Sequence, residues 1–133
     1  MIISFIIVGI GGALGAMLRY AVQLGVSSFA LGPAWLATFV VNLAGALVMG
    51  VMAGWLLGTA ALPEGWRLFI MVGLLGALTT FSSFTLDSYH LLQRQEWLIL
   101  SFYVLGSVIL SYGCFLLGLW LCQQLLRASG GGL

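Results

Sequence analysis

Residues 76–85 read GALTTFSSFT, five side-chain hydroxyls and two phenylalanines behind a glycine, inside an otherwise apolar run. Hydroxyls can replace water around a small ion, and the edge of an aromatic ring carries positive potential that can meet an anion. Further donors lie in other apolar runs. Asn42, in TFVVNLAG, follows Thr38 by four residues, which puts both on one helix face. Its amide either bonds a neighbouring helix or offers its NH2 to an anion. Tyr103, Ser107 and Ser111 recur every four residues and draw a hydroxyl stripe along a helix. Arg19, in GGALGAMLRY, draws an anion into a vestibule, neutralises a carboxylate, or snorkels to an interface.

Bond-making chemistry has little to work with. Asp87 is the only acidic residue inside an apolar run, and with His90 one turn later it reads as a structural contact rather than a catalytic dyad. Cys114 and Cys122 share one apolar segment and read as small core residues. No nucleophile–base pairing, metal-ligand cluster or phosphate loop is present in the pattern. The donors suit stripping and replacing an anion's hydration shell, so the chain is not expected to be an enzyme.

The elements that must hold these donors cross a membrane. The chain has 133 residues, 62% hydrophobic and 5% charged, with a mean hydropathy of +1.20. A soluble domain carries about a quarter charged residues, so this one could not cover itself with polar groups. It has four arginines, no lysine and a net charge of +1, which gives no nucleic-acid footprint. Hydropathy divides it into four spans, about 2–26, 35–60, 68–93 and 98–126, each longer than the roughly 20 residues a helix needs to cross a bilayer. Trp35, Trp66 and Trp97 flank the turns, as interfacial tryptophan does. The first span lacks a basic n-region and runs on, so it reads as a membrane helix rather than a cleaved signal. Residues 1–133 therefore form one all-α integral membrane domain with no room for a soluble one, and the tail ASGGGL reads as frayed. Gly11 with Gly15, and Gly50, Gly54 and Gly58, are spaced to let helices approach closely.

The third span is expected to be broken near its middle. As one straight helix it would run roughly 39 Å against a hydrocarbon core of about 30 Å. Tilt could absorb the excess, and so could a break. Gly76 tolerates unusual dihedrals, Thr79 and Thr80 are β-branched, and Ser82 and Ser83 offer the backbone other partners. A break at bilayer depth needs partners for the freed backbone, and in transporters these are often a cation at the carbonyls and anions at half-helix N-termini. Phe81 and Phe84, three apart, share a face and either pack or present their ring edges.

Orientation is evenly balanced. Four spans place Arg67 and Arg127 on one side, and Arg94 on the other together with Arg19 if the first helix ends soon after it, so the positive-inside rule selects no topology. Insertion both ways up, with opposite copies pairing as an antiparallel dimer, is compatible with that count. One four-helix chain is thin for enclosing a pore, which also favours an oligomer.

With these residues in place, the chain resembles the CrcB/Fluc fluoride channels. GLLGALTTFSSF is similar to that family's third-helix signature, GGALGAMLRY to its first-helix motif, and Thr38–x–x–x–Asn42 to its second-helix motif, in order and over essentially the whole chain. The resemblance implies a dual-topology homodimer in the bacterial inner membrane that conducts fluoride passively and lowers its cytoplasmic level. It also implies a structural sodium ion at the dimer centre, held by backbone carbonyls, here those of Gly76 and Thr79. The fluoride pathway would fall on Asn42, Phe81, Phe84, Tyr103, Ser107, Ser111, Thr38 and Ser83, and the vestibule arginine would be Arg19. Two positions depart from the pattern: Ala77 replaces a second glycine, and Asp87 stands where many members have Glu.

Two other classes compete. An ion-coupled exporter of the small multidrug-resistance type is also four-span and dual-topology, but needs a titratable carboxylate deep in a span, and Asp87 lies towards the end of the third. A structural assembly subunit would have no use for aligned polar stripes.

Overall fold

The computed structural model describes residues 1–58, 62–128 and 130. All regular structure among them is helical: α1 (Ile2–Ser28), α2 (Ala34–Gly58), α3 (Glu64–Arg67), a π-helical stretch (Leu68–Leu75), α4 (Gly76–Leu78), α5 (Phe81–Gln93) and α6 (Trp97–Ala128). Four stretches are long and apolar enough to cross a membrane: α1, α2, the composite third span Glu64–Gln93, and α6. The third span starts four residues earlier than hydropathy suggested, because Pro63 sets the N-cap and Glu64 opens the first turn. The expected end of the second span at Ala60 lies outside the described residues, as does most of the C-terminal tail.

Two of the turns are built alike. After α1, Ala30 N–H donates to the Ser27 carbonyl (3.3 Å) and Leu31 N–H to the Val26 carbonyl (3.1 Å), with Ala30 at φ 48°. After α5, Gln95 and Glu96 make the corresponding bonds to Leu92 and Leu91, with Gln95 at φ 58°. This double bond satisfies the last carbonyls of a helix and asks for a left-handed residue that is usually glycine. Here alanine and glutamine occupy it.

Glycine makes the packing close. Gly50 lies against the Phe115 carbonyl of α6 and Gly118 of α6 against the Leu47 carbonyl of α2, with no room for a methyl at either. Gly54 meets Cys122 on the same seam. Gly11 and Gly15 of α1 lie just as tightly against the Phe69 and Leu74 carbonyls of the π-helical stretch. Two backbone-to-backbone seams, α2 with α6 and α1 with the first half of the third span, therefore frame the molecule, as small-residue packing does in lipid, where no hydrophobic force drives helices together. The fully buried side chains are few, chiefly Tyr103, Leu75 and Thr38, and most large apolar residues face outward, as in a chain whose solvent is lipid.

Candidate functional site

The third span breaks where the hydroxyl-rich segment lies. Thr79 (φ −77°, ψ 149°) and Thr80 (φ −151°, ψ 125°) are extended between α4 and α5. β-branching makes both residues comfortable there. Upstream, Thr79 closes α4 by sending its N–H (3.0 Å) and its Oγ1–H (2.9 Å) to the Leu75 carbonyl. Downstream, Thr80 is the N-cap of α5, its Oγ1 accepting the Ser83 N–H at 3.2 Å. Asn42 reaches across from α2. Thr80 N–H donates to Asn42 Oδ1 at 2.8 Å, and Asn42 Nδ2 donates to the Thr80 carbonyl at 3.1 Å.

These bonds redirect the ladder. In an unbroken helix the Thr80 N–H would serve the Gly76 carbonyl and the Ser83 N–H the Thr79 carbonyl. Asn42 takes the first and the Thr80 hydroxyl the second. The carbonyls of Gly76 and Thr79 thus lose the donors that a continuous helix would supply, and Gly76 is exposed.

A pocket of about 550 Å³ opens at this break. Asn42 and Gly45 of α2 line it, with Gly76, Thr79, Thr80, Phe81 and Phe84 of the third span and Ser107 and Ser111 of α6. Ala46, Met49, Val108 and Phe115 complete apolar walls. The Ser107 hydroxyl is buried with no hydrogen-bond partner among the described residues. A buried donor without an acceptor is costly and calls for one from outside. The rings of Phe81 and Phe84 lie 5.3 Å apart at 34°, with Phe81 78% exposed at the rim. Thr80 Oγ1 also lies 3.1 Å from Ser82 Oγ and donates to Ser83 Oγ at 3.3 Å, so the hydroxyls of Thr80, Ser82 and Ser83 form one local network.

A second, smaller pocket of about 190 Å³ lies towards the α1–α2 turn, with Gln23, Ser27, Thr38 and Asp87 in its lining. Tyr103 touches a lining residue of each. Its hydroxyl donates to Asp87 Oδ2 at 3.2 Å, and its ring lies 5.2 Å from Phe84 and 5.4 Å from Trp35.

The sequence that builds this arrangement is similar to known proteins. A family model described as "CrcB-like protein, Camphor Resistance (CrcB)" matches residues 6–119. The chain belongs to the CrcB family. A relative from Nitrobacter hamburgensis, named fluoride-specific ion channel FluC 2, is 39% identical over 123 residues, 92% of this chain and 98% of that protein. A fluoride-specific ion channel FluC from Hyphomonas neptunium is 41% identical over 124 residues (92% and 97%), and one from Nitrobacter winogradskyi 40% over 114 (84% and 89%).

In this CrcB chain the expected site residues divide in three. Asn42, Gly76, Thr79, Phe81, Phe84, Ser107 and Ser111 meet in the larger pocket. Thr38 and Tyr103 belong with Asp87: the face shared by Thr38 and Asn42 is split, one turn serving each pocket. Ser83 supports Thr80, and Arg19 is half-buried on α1, in the lining of neither pocket. Gln23 and Gly45 were not singled out from sequence. Gln23 follows Arg19 by four residues, which could have placed it; nothing local marks Gly45, whose role is set by Thr79 across the helix gap.

Proposed function

We propose that this chain is a fluoride-selective channel that passes fluoride down its gradient and so lowers the cytoplasmic level; it is not an enzyme. The observation that carries the reading is the larger pocket, in which a broken span brings donors and aromatic rings together inside apolar walls. Fluoride is compact and strongly hydrated, so a path for it must replace its water with donors while holding it loosely enough to let it leave. The unpartnered Ser107 hydroxyl, the Ser111 hydroxyl and the second N–H of the Asn42 amide are available for that exchange. The edges of Phe81 and Phe84 add weak positive potential without a fixed charge. Relatives named fluoride-specific ion channel over nearly the full length support the choice of ion.

The same break supports a sodium ion. Among the described residues no three His, Cys, Asp or Glu side chains gather, so a cation here would be held by backbone oxygen. The Gly76 and Thr79 carbonyls fit that role, because their helical donors are diverted to Asn42 and Thr80. When bound, the ion would neutralise these carbonyls at bilayer depth. Two copies are required on the same ground: an exposed break cannot face lipid with unpaired backbone, so a partner copy covers it. Few arginines and no lysine leave that copy free to be antiparallel, in a dual-topology homodimer of the bacterial inner membrane.

Efflux from liposomes tests the function. Purified protein should release fluoride but not chloride, at a rate independent of an imposed pH gradient. Release that requires a pH gradient would indicate a proton-coupled carrier, and silence towards both halides an assembly subunit.

A further inference from the structure

Asn42 does more at the break than face the pocket. It pairs with both polar groups of a single residue, accepting the Thr80 N–H at 2.8 Å and donating to the Thr80 carbonyl at 3.1 Å. A primary amide has the same donor and acceptor as a peptide group, so this two-point contact reproduces what a neighbouring stretch of backbone would supply. It also links α2 to the third span, 38 positions along the chain, at the point where that span has lost its own ladder. Thr80 lies directly after Thr79, and its N–H is the one withdrawn from Gly76.

We propose that Asn42 is a positioning residue for the cation site: its carboxamide stands in for the missing peptide partner at the break and so fixes the directions of the Gly76 and Thr79 carbonyls. This rests on the sodium reading given above and deepens it. The consequence is a division of labour within one side chain. Oδ1 and one Nδ2 proton hold the backbone, and only the second Nδ2 proton remains for an anion. An aspartate of the same shape keeps the acceptor for Thr80 N–H but loses the donor, and sets a carboxylate oxygen against the Thr80 carbonyl.

The test reads the backbone first and the ion second. Amide hydrogen exchange on the detergent-solubilised full chain should find the Thr80 N–H protected in the wild type. Asn42→Ala should speed its exchange about ten- to hundred-fold, as expected for loss of a part-buried hydrogen bond, with the α6 amides unchanged. The melting temperature should rise with sodium in the wild type, and the sodium midpoint should move up about ten-fold in Asn42→Ala and in Asn42→Asp. Fluoride flux that falls while Thr80 exchange and the sodium midpoint stay at wild-type values would overturn the positioning role and leave the channel intact. If Asn42→Ala does not fold, an unprotected Thr80 N–H in the wild type alone is enough to overturn it. A wild type whose melting ignores sodium would remove the cation reading while Thr80 exchange still decides the strut.

Discussion

Replacing Gly45 by alanine tests how tightly α2 is fitted to the break. A methyl there would meet the Cγ2 of Thr79, with Thr79 Cβ at 3.8 Å and Leu78 Cδ2 at 3.9 Å behind it. A flexible side chain would turn aside, but Thr79 is pinned, because its Oγ1 donates to the Leu75 carbonyl at 2.9 Å. Rotating it to clear the methyl breaks that bond, a loss of about 1 kcal/mol. Keeping the rotamer pushes α2 away from the third span and stretches both Asn42–Thr80 bonds, with an overpacking cost of about 1–3 kcal/mol. Alanine recovers up to about 1 kcal/mol in helix propensity, so a net loss of about 0–2 kcal/mol remains. Thermal melting in detergent should drop by up to roughly 8 °C. Gly9→Ala on α1 is the control, since a methyl there meets nothing within 4 Å and should leave melting unchanged or slightly higher. Fluoride flux should fall with stability in the first variant only. A melting temperature that rises in Gly45→Ala as much as in Gly9→Ala would refute the claim that Thr79 is locked against α2.

Tyr103→Phe removes the donor to Asp87 Oδ2 and leaves a half-buried carboxylate with one partner fewer, so melting should fall by the equivalent of about 1–3 kcal/mol and fluoride efflux should slow. Thr80→Ala removes the N-cap of α5 at a cost of about 1 kcal/mol in the same melt, while a melt at the wild-type temperature would show that the cap contributes nothing. Ala30→Gly and Gln95→Gly relieve a left-handed residue in each of two turns, and each should raise the melting temperature by the equivalent of about 1 kcal/mol with flux unchanged.

The sequence made the spans and the break legible for different reasons. Spans follow from composition alone, because a run of over 20 apolar residues has no other stable environment. The break was legible because hydroxyl and β-branched residues at 79–83 weaken a helix locally, and it lies at Thr79–Thr80, within that cluster. The π-helical stretch at Leu68–Leu75 was not legible: LFIMVGLL carries no residue that prefers five-residue closure to four, and its shape is bound up with the close seam along Gly11 and Gly15. Residue type placed Asn42 in the site, but its pairing with both polar groups of Thr80 depends on how near α2 lies to the break, which spacing does not encode. The separation of Thr38 from Asn42 has the same origin. Residues four apart share a face on one helix, but one turn carries Thr38 into the smaller pocket and Asn42 into the larger.

The central claim is that the polar groups at the break give fluoride a passive, uncoupled route. Its most direct test is the reversal potential of the reconstituted protein in a planar bilayer under a tenfold fluoride gradient with equal pH on both sides. The account predicts a fluoride current that reverses close to the fluoride equilibrium potential, about 59 mV for a monovalent ion, and stays there when a pH gradient is added. No current, or a reversal that follows the proton gradient, would contradict it.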